Sequence, residues 1–377
     1  MTAPSPASES PPSPVPTSAP SRGITLARFV PRLVASVGVA LLFWMLMRRG
    51  GVPVLPPVSA FASVRWWTVG VYFLSLFVVH WFRAYRWDYL LRPIARVPTS
   101  RIVAIAWVGF FAIMMLPLRM GEVVRPVLLR RDGKISGSAA MGTIAAERVL
   151  DGLFVAIVLA ATLAFVPHLD LQGVSFGGFA VANVLRAGYL TVGIFTAALV
   201  TLALFLVARR FMEKLTRDVV GLVSPRLAER LSRMVGDLAD GLRSLPDPKL
   251  MVPFLAQTAI YWGVNGLGMW FLGWGCGLDM SPGQGFSVMG VLAMGILLPA
   301  GPGLFGTFQL SIFLALRMYF SQDVVVGPGA AYVFLMYASQ FVFTTLTGVG
   351  ALWFGHIDPR DALDGEPREV ATIPARG

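Results

Sequence analysis

Long apolar runs separated by short basic segments make up most of this chain. The runs lie at about 30–47, 66–82, 102–118, 138–166, 187–207, 251–275, 284–299, 303–320 and 328–354. A helix needs about 20 residues to cross the hydrocarbon core of a bilayer. The runs that are short or marginal for that length, and that lie near Pro or Gly, are 102–118, 284–299 and 303–320. The pattern predicts an all-α, polytopic integral membrane helical bundle.

The basic loops indicate how such a bundle would be oriented. Lys and Arg collect on the cytoplasmic side of membrane proteins. Residues 208–250 are rich in both, whereas 276–283 has neither and 167–186 has Arg186 alone. We therefore expect 208–250 in the cytoplasm and the other two loops outside. The same alternation places the N- and C-termini in the cytoplasm.

One short run does not fit this scheme as a span. The segments 83–101 and 119–134, on either side of run 102–118, are both basic. Both are therefore expected on the cytoplasmic side. A re-entrant segment that enters and leaves on that side satisfies both, and Pro117 with Gly121 suits its turn.

The second half of the chain shows a similar interruption. Runs 284–299 and 303–320 are expected to dip in from outside and return. The turn residues between and after them are Pro299, Gly301, Pro302, Gly303 and Gly306. The prediction is therefore about six full spans plus two re-entrant elements, in the inverted-repeat-like arrangement of many transporters.

Composition supports a membrane protein. Hydrophobic residues make up 56% of the chain and charged residues 14%, whereas a soluble domain carries roughly 25% charged residues. The net charge is +11, but the basic residues lie in loops between apolar runs, so nucleic acid is not expected as a partner. A lone cysteine, Cys276, excludes an intramolecular disulfide and disfavours a Cys/His metal site.

The remaining segments have distinct compositions. Residues 1–24 are Pro/Ser-rich and are predicted to be a disordered tail. Residues 25–355 form the predicted membrane domain, and 356–377 a flexible cytoplasmic tail. Within the membrane domain, 209–249 has apolar residues at helical spacing among many arginines. It is either a set of amphipathic helices on the anionic inner leaflet or a solvated cytoplasmic hairpin.

A first charged cluster follows run 102–118. Arg119, Glu122 and Arg125 are spaced i, i+3 and i+6, so on a helix Glu122 reaches either arginine. Arginine offers a planar fork that suits a phosphate. The cluster could bind an anionic lipid headgroup, or it could be orientation charge with one internal salt bridge.

A second cluster lies inside an apolar run. Glu147, Arg148 and Asp151 fall within run 138–166, and each ionisable group at that depth costs about 2.5–3.5 kcal/mol on insertion scales unless it is paired or wetted. Glu147 and Asp151 share a helix face at i, i+4. They could be a buried ion-pair network, or they could line a headgroup path or a proton relay.

Signatures of covalent chemistry are missing from the sequence. It contains no hydrolase triad, Walker A loop, acyltransferase motif or metal-ligand cluster. We therefore expect no catalytic residues, no metal site, no cofactor and no enzymatic activity.

The two clusters together have a recognisable pattern. LPLRMGEVVRPVLLRRDGK, followed by AAERVLDGL, resembles the lysylphosphatidylglycerol synthase transmembrane family, whose membrane region is flippase-like. The matching residues are Pro117, Arg119, Gly121, Glu122 and Arg125 in the first motif, Glu147, Arg148 and Asp151 in the second, and Pro299, Pro302, Gly303 and Gly306 in a later re-entrant turn.

This resemblance implies a protein of the bacterial or archaeal cytoplasmic membrane that moves a lipid or a lipid-linked precursor. Members that make lysyl-phosphatidylglycerol carry a soluble aminoacyltransferase domain after the membrane region. Here only 355–377 follows the last run, so we expect a stand-alone member without synthase activity.

The leading hypothesis is a protein that flips or scrambles an anionic phospholipid or a lipid-linked precursor, with membrane lipids as its partners. One alternative is a lipid-modifying transferase subunit, in which only Glu122, Glu147 and Asp151 could act as a base. Another is a non-transporting assembly factor for envelope lipids. Whether the chain forms a homo-oligomer or binds a lipid-synthesis enzyme is open.

Overall fold

The computed structural model describes residues 26–49, 51, 55–116, 121–131, 135–176, 179–208, 214, 217–218, 225–298 and 300–358. The fold is an all-α bundle, which confirms the predicted fold class. Within these residues the strands are β1 (Ser175–Phe176) and β2 (Phe179–Ala180), a short antiparallel pair in which Ser175 faces Ala180 and Phe176 faces Phe179.

The helices follow the apolar runs closely. In chain order they are α1 (Leu26–Arg49), α2 (Trp67–Tyr85), α3 (Trp87–Leu91), α4 (Thr99–Met115), α5 (Val124–Arg131), α6 (Gly137–Phe165), α7 (Ala182–Val207), α8 (Pro225–Asp240), α9 (Pro248–Gly275), α10 (Pro282–Gly295), α11 (Thr307–Arg317), α12 (Gln322–Val326) and α13 (Pro328–Phe354). Short 3₁₀ turns lie at Val58–Phe61 and Pro302–Leu304.

Several helical stretches of the described chain are long and apolar enough to cross a bilayer. They are Trp67–Leu91, Gly137–Phe165, Ala182–Val207 and Gln322–Phe354. The chain is therefore a multi-pass membrane protein. The predicted further spans at α1 and α9 are helical, with 24 and 28 residues, and a total of about six spans stays a prediction.

The first predicted re-entrant element forms a helical hairpin. After α4 ends at Met115, α5 packs back along α4. The side chain of Arg125 lies directly against Gly109, and Gly121 lies against the α4 backbone at Ala112 and Ile113. Neither glycine position leaves room for a larger side chain. The intervening residues 117–120, which include Pro117 and Arg119, lie outside the described part of the chain.

The second predicted re-entrant element is also a hairpin, formed by α10 and α11. Gly295 lies against Ser311 near the turn. Farther from it, the Tyr319 hydroxyl donates a hydrogen bond to Ser287 Oγ at 2.7 Å, so the two arms run antiparallel. Pro299 in the turn lies outside the described residues. Whether either hairpin dips into a membrane from one side stays a prediction.

Glycine is required in the turn of this second hairpin. Gly303 and Gly306 have φ angles of 72° and 92°, in the left-handed region that glycine adopts without strain. Helix α1 covers the turn, with Ser36 Oγ donating to the Ala300 carbonyl at 3.3 Å and Phe43 against Gly306. The Pro- and Gly-rich sequence 301–306 is thus a tight, covered turn.

The tips of the two hairpins meet in the middle of the bundle. The end of α4 packs against the 3₁₀ turn Pro302–Leu304. Ile113 and Met114 from the first hairpin, and Leu304 and Phe308 from the second, line the same cavity. Two segments that are far apart in the sequence therefore build one central site.

The described part of the predicted amphipathic segment is α8. One side of α8 packs against the N-terminal end of α6, where Ser138 Oγ donates to Asp237 Oδ2 at 2.7 Å. Gly241, just after α8, lies against Gly142 of α6. Met234 on the other side is 54% exposed.

Candidate functional site

A buried ion-pair network joins four parts of the bundle. Arg86, at the junction of α2 and α3, donates from Nη2 to Asp151 Oδ2 at 2.5 Å and from Nη1 to Thr258 Oγ1 at 2.7 Å. The hydroxyl of Tyr261 donates to the other Asp151 oxygen at 2.7 Å. Asp151 on α6 is thus held by α2–α3 and by α9.

Glu147 lies one turn before Asp151 and has its own partner. Both Nη atoms of Arg125 on α5 donate to the Glu147 carboxylate, at 3.3 and 2.9 Å. Arg86 Nη2 is also 3.4 Å from Glu147 Oε1. The Arg125 guanidinium stacks on the Trp87 ring, with its carbon 4.1 Å from the ring centre.

These charged side chains are shielded from solvent. Arg86, Arg125 and Glu147 have no exposed surface, and Asp151 is 5% exposed. Removing one partner from such a pair leaves an uncompensated buried charge, at a cost of about 3–5 kcal/mol. The network joins α2–α3, α5, α6 and α9 beside the neighbouring cavities.

Arg148 and Arg83 differ from the arginines of this network. The Arg148 side chain is 28% exposed, and its Nη2 lies 3.8 Å from Glu147 Oε1. Arg83 on α2 stacks on the Phe110 ring at 4.4 Å, and the described residues give it no ion pair. The Nε atoms of Arg83 and Arg148 are buried and donate no hydrogen bond in the described structure. Both side chains line cavities.

The first of these cavities, which we call the inner cavity, lies between the hairpin tips. Its volume is about 160 Å³, and side chains of α2, α4, α6, α9, α10, α11 and α13 line it. Its polar side chains are His80, Arg83, Arg148, Asn265, Gln340 and Thr344. The remaining lining is apolar and includes Met114, Met269 and Phe308.

The second, which we call the lateral cavity, has a volume of about 660 Å³ and lies between α6, α7 and α10. Val155, Ala156 and Phe195 give it an apolar wall, and Glu122 and Asp151 are among its polar residues. Helix α7 exposes apolar side chains such as Leu190 and Leu204, at 65% and 62%. In a membrane protein such a helix faces lipid, so the lateral cavity lies on the lipid side of the bundle.

The two cavities share one wall. Arg83, Arg148, Trp262, Ala293 and Ile296 line both. Two guanidinium groups therefore lie between the lateral cavity and the inner cavity, and most of the lining of both cavities is apolar.

Most of the residues proposed from sequence lie in this region. Arg125 and Glu147 belong to the buried network, Asp151 belongs to it and also lines the lateral cavity, and Arg148 lies on the shared wall. Half-buried Glu122 lines the lateral cavity. The turn residues Gly301, Pro302, Gly303 and Gly306 lie at the tip of the second hairpin, beside the inner cavity.

The sequence pattern did not predict that Arg83 and Arg86 belong to this region. Residues 83–101 were expected to be a cytoplasmic loop, but α2 continues to Tyr85 and α3 covers Trp87–Leu91. The loop assignment is therefore wrong for its first half, and Arg83 and Arg86 lie within the bundle. Both arginines lie among aromatic residues in the sequence HWFRAYRW. Such a sequence favours a continuing helix over a solvated loop.

The described residues contain no group of three or more His, Cys, Asp or Glu side chains that could hold a metal ion. The site is therefore built from arginines, carboxylates, amides and apolar walls.

Comparison with known proteins adds a family assignment. A family model described as the lysylphosphatidylglycerol synthase TM region matches residues 30–348. Searches of curated proteins and of solved structures each gave no significant match.

Proposed function

This chain belongs to the lysylphosphatidylglycerol synthase transmembrane-region family, and from that premise we propose that it flips or scrambles an anionic phospholipid or a lipid-linked precursor. Membership makes it a membrane protein tied to lipid metabolism or transport. Our proposal goes beyond family membership in one respect, which is that the protein moves the lipid across the bilayer.

The shared wall of the two cavities carries this proposal. A headgroup that crosses the bilayer must leave water, and a charge in hydrocarbon is stable only when it is paired. Arg83 and Arg148 supply that pairing at the boundary between the lateral and inner cavities. The acyl chains meanwhile remain in the apolar lateral cavity.

The ion-pair network supports the proposal because it fixes the helix that carries Arg148. It holds α6, which carries Arg148, against α2–α3, α5 and α9. Because Glu147 is already paired by Arg86 and Arg125, the Arg148 guanidinium is available to a lipid phosphate. The network thus sets the position and the charge of the shared wall.

The residues around the lateral cavity give little support to the alternative of a lipid-modifying transferase. The membrane region of this family is generally not catalytic. Among the described residues of the lateral cavity, the carboxylates are Glu122 and Asp151. Asp151 is committed to Arg86 and Tyr261. The one hydroxyl among the described lining residues is that of Thr191, which donates to the Ala187 carbonyl at 2.7 Å. The lipid-modifying alternative would rest on Glu122 alone.

Translocation in liposomes containing only this protein tests the proposal. A fluorescent anionic phospholipid is placed in both leaflets, and a membrane-impermeant reductant bleaches the outer one. Wild-type protein should raise the bleached fraction from about half toward completion, and a protein-free liposome should not. If wild-type liposomes bleach like empty ones over a range of lipid labels and with an imposed ion gradient, the chain is not a lipid translocator.

Two matched arginine variants test whether translocation depends on the shared wall. Arg148→Ala removes one of the two cations of the shared wall. Arg92→Ala removes one whose side chain is 45% exposed and pairs with Asp88 at the surface, a kind of pair worth about 0–1 kcal/mol. The first variant should slow translocation and the second should not.

A further inference from the structure

A third cavity lies on the outer surface of the bundle. It is an open groove of about 820 Å³ between Trp81 of α2, residues 99–107 of α4 and residues 346–355 of α13, and we call it the α4–α13 groove. Among the described residues, none lines both this groove and the inner or lateral cavity. We propose that the α4–α13 groove binds one phospholipid of the cytoplasmic leaflet, which stays bound and is not translocated.

The shape of the groove comes from small residues that lie between large aromatic ones. Trp81, Trp107 and Phe354 line it together with Ala104 and Gly350. No neighbouring atom of the described chain lies within 4 Å of the position that a Cβ would take at Gly350. Phe354 and Trp81 are 82% and 42% exposed, and in a multi-pass membrane protein such side chains face lipid. The acyl chain of a lipid therefore fits this space.

Most hydrogen-bonding groups of the groove lie at one end. Thr99, Ser100 and Arg101 begin helix α4, and the preceding residue, Pro98, gives it no side-chain cap. Arg101 Nη1 donates to the Gly355 carbonyl at 2.9 Å, so this end of the groove lies where α4 begins and α13 ends. A guanidinium has five donors and can serve several acceptors at once, and the start of a helix favours an anion. A phosphate therefore fits beside Arg101.

The length of the groove matches one leaflet of a bilayer. From Leu346 to Gly355 α13 advances about 14 Å, because an α-helix rises about 1.5 Å per residue. Half of the hydrocarbon core measures about 15 Å. The Thr347 hydroxyl, far from Arg101, donates to the Phe343 carbonyl of its own helix at 2.9 Å. The groove is thus polar at one end and apolar over the rest, as a phospholipid is.

Charge places this lipid in the cytoplasmic leaflet. The polar end of the groove adjoins the basic segment 83–101, which carries Arg92 and Arg96 just before α4 begins. Basic segments lie on the cytoplasmic side and attract anionic headgroups there. A second copy of this chain would bring an apolar helix instead, which offers the polar end no acceptor. A phospholipid is therefore the occupant that fits both ends.

The bound lipid supports the first hairpin from outside. Helix α4 lies between the two spaces, since Val103 and Trp107 line the α4–α13 groove and Ile113 and Met114 line the inner cavity. A lipid in the groove packs against the arm whose tip forms the inner cavity. Its binding goes beyond the proposed translocation and does not depend on it, because the shared wall is not part of the groove.

Photolabelling tests the site directly. A phosphatidylglycerol with a diazirine in one acyl chain is added at low mole fraction to liposomes that contain the wild-type protein, and the labelled residues are located by mass spectrometry. Residues 99–107 and 346–355 should be labelled at least fivefold more than the exposed positions Ile260 and Leu267 of α9. Equal labelling would mean ordinary contact with the surrounding lipid and would overturn the proposal.

Two neighbouring aromatic residues supply matched variants. Phe354 lines the groove, whereas Trp353, which is also largely exposed at 79%, is not among its described lining residues. Phe354→Ala should reduce labelling of the groove at least threefold, and Trp353→Ala should leave it at the wild-type level. Both side chains are exposed, so neither change should disturb folding. The same labelling in both variants would contradict the proposal.

Filling the groove gives an independent test. Gly350→Phe and Gly193→Phe each place a ring where no neighbouring atom lies within 4 Å of the Cβ position, but only Gly350 lines the groove. The first variant should lose most of the groove labelling, and the second should keep it. A disulfide between two copies of Gly350→Cys in native membranes would mean that a second copy fills the groove, and the proposal would then be wrong.

A diacylglycerol probe with the same diazirine chain tests the polar end. It lacks the phosphate that we place beside Arg101, so it should label the groove at least threefold more weakly than the phosphatidylglycerol probe does. Equal labelling by the two probes would show that the groove holds acyl chains alone, and the assignment of a phospholipid would be refuted.

Discussion

Arg125 and Glu147 are 22 residues apart in the chain and form a two-pronged ion pair, with nitrogen–oxygen distances of 3.3 and 2.9 Å and no exposed surface on either residue. The pair joins the returning arm of the first hairpin to the middle of α6. Because Gly109 of α4 lies directly against Arg125, the same contact also fixes the two arms of that hairpin.

Loss of the Glu147 carboxylate should therefore destabilise the bundle. Glu147→Ala leaves Arg125 without its ion-pair partner and Arg86 with Asp151 alone. We expect a loss of about 3–5 kcal/mol, as for other buried pairs from which one partner is removed. The check is the midpoint of thermal unfolding in detergent, followed by size-exclusion chromatography.

The double change Glu147→Leu with Arg125→Met is the control for this prediction. It removes both charges and keeps apolar volume, so it should recover most of the lost stability. An unfolding midpoint for Glu147→Ala equal to that of the wild type would show that the pair contributes nothing.

The sequence was sufficient for the helices but not for this network. Run 328–354 matches α13 to the residue, and run 251–275 matches all but the first turn of α9, because apolar length and proline positions are local signals. Arg86 is 61 and 65 residues from its partners Glu147 and Asp151. No local spacing reports such a pairing, so Arg86 was counted with the loop charges. Glycine and proline mark turns directly, and Gly303 and Gly306 do lie in the turn between α10 and α11.

Arg148 should be needed for function more than for folding. Its side chain is 28% exposed and lies 3.8 Å from Glu147, which keeps Arg86 and Arg125 when Arg148 is removed. Arg148→Ala should slow translocation on the order of tenfold or more, because a hydrogen bond to a charged group contributes about 1.5–3 kcal/mol. Its unfolding midpoint should stay close to the wild-type value. Full translocation activity in this variant would place the lipid phosphate elsewhere.

Arg83 provides an independent test of the same wall. Arg83→Ala should slow translocation about as much as Arg148→Ala, since both guanidinium groups line both cavities. Arg83→Lys keeps the charge but loses the planar fork, so an intermediate rate is expected. Equal rates for Arg83→Ala and Arg92→Ala would show that the position of the charge is unimportant.

The turn of the second hairpin should be sensitive to substitution of Gly306. Gly306→Ala forces a Cβ into a backbone with φ of 92° and against the Phe43 side chain. The backbone term alone costs roughly 1–2 kcal/mol, so the unfolding midpoint should fall. Gly193→Ala in α7 is the matched control, because nothing lies within 4 Å of its Cβ position and alanine favours a helix. If both variants unfold at the same temperature, the turn is not under this constraint.

The last prediction concerns which side of the membrane the first hairpin enters. Basic segments flank the hairpin at both ends, so single cysteines placed at Arg96 and Lys134 should react with an impermeant maleimide from the same, cytoplasmic side. Native Cys276, which follows α9, gives little background, because it is fully buried and burial raises the pKa of its thiol to about 12. At neutral pH that thiol stays protonated, and only the thiolate reacts rapidly. A third cysteine at Asp279, outside in this topology, should be labelled from the opposite side and serves as the control. Labelling of Arg96 and Lys134 positions from opposite sides would mean that α4 crosses the bilayer, and the re-entrant arrangement would then be wrong.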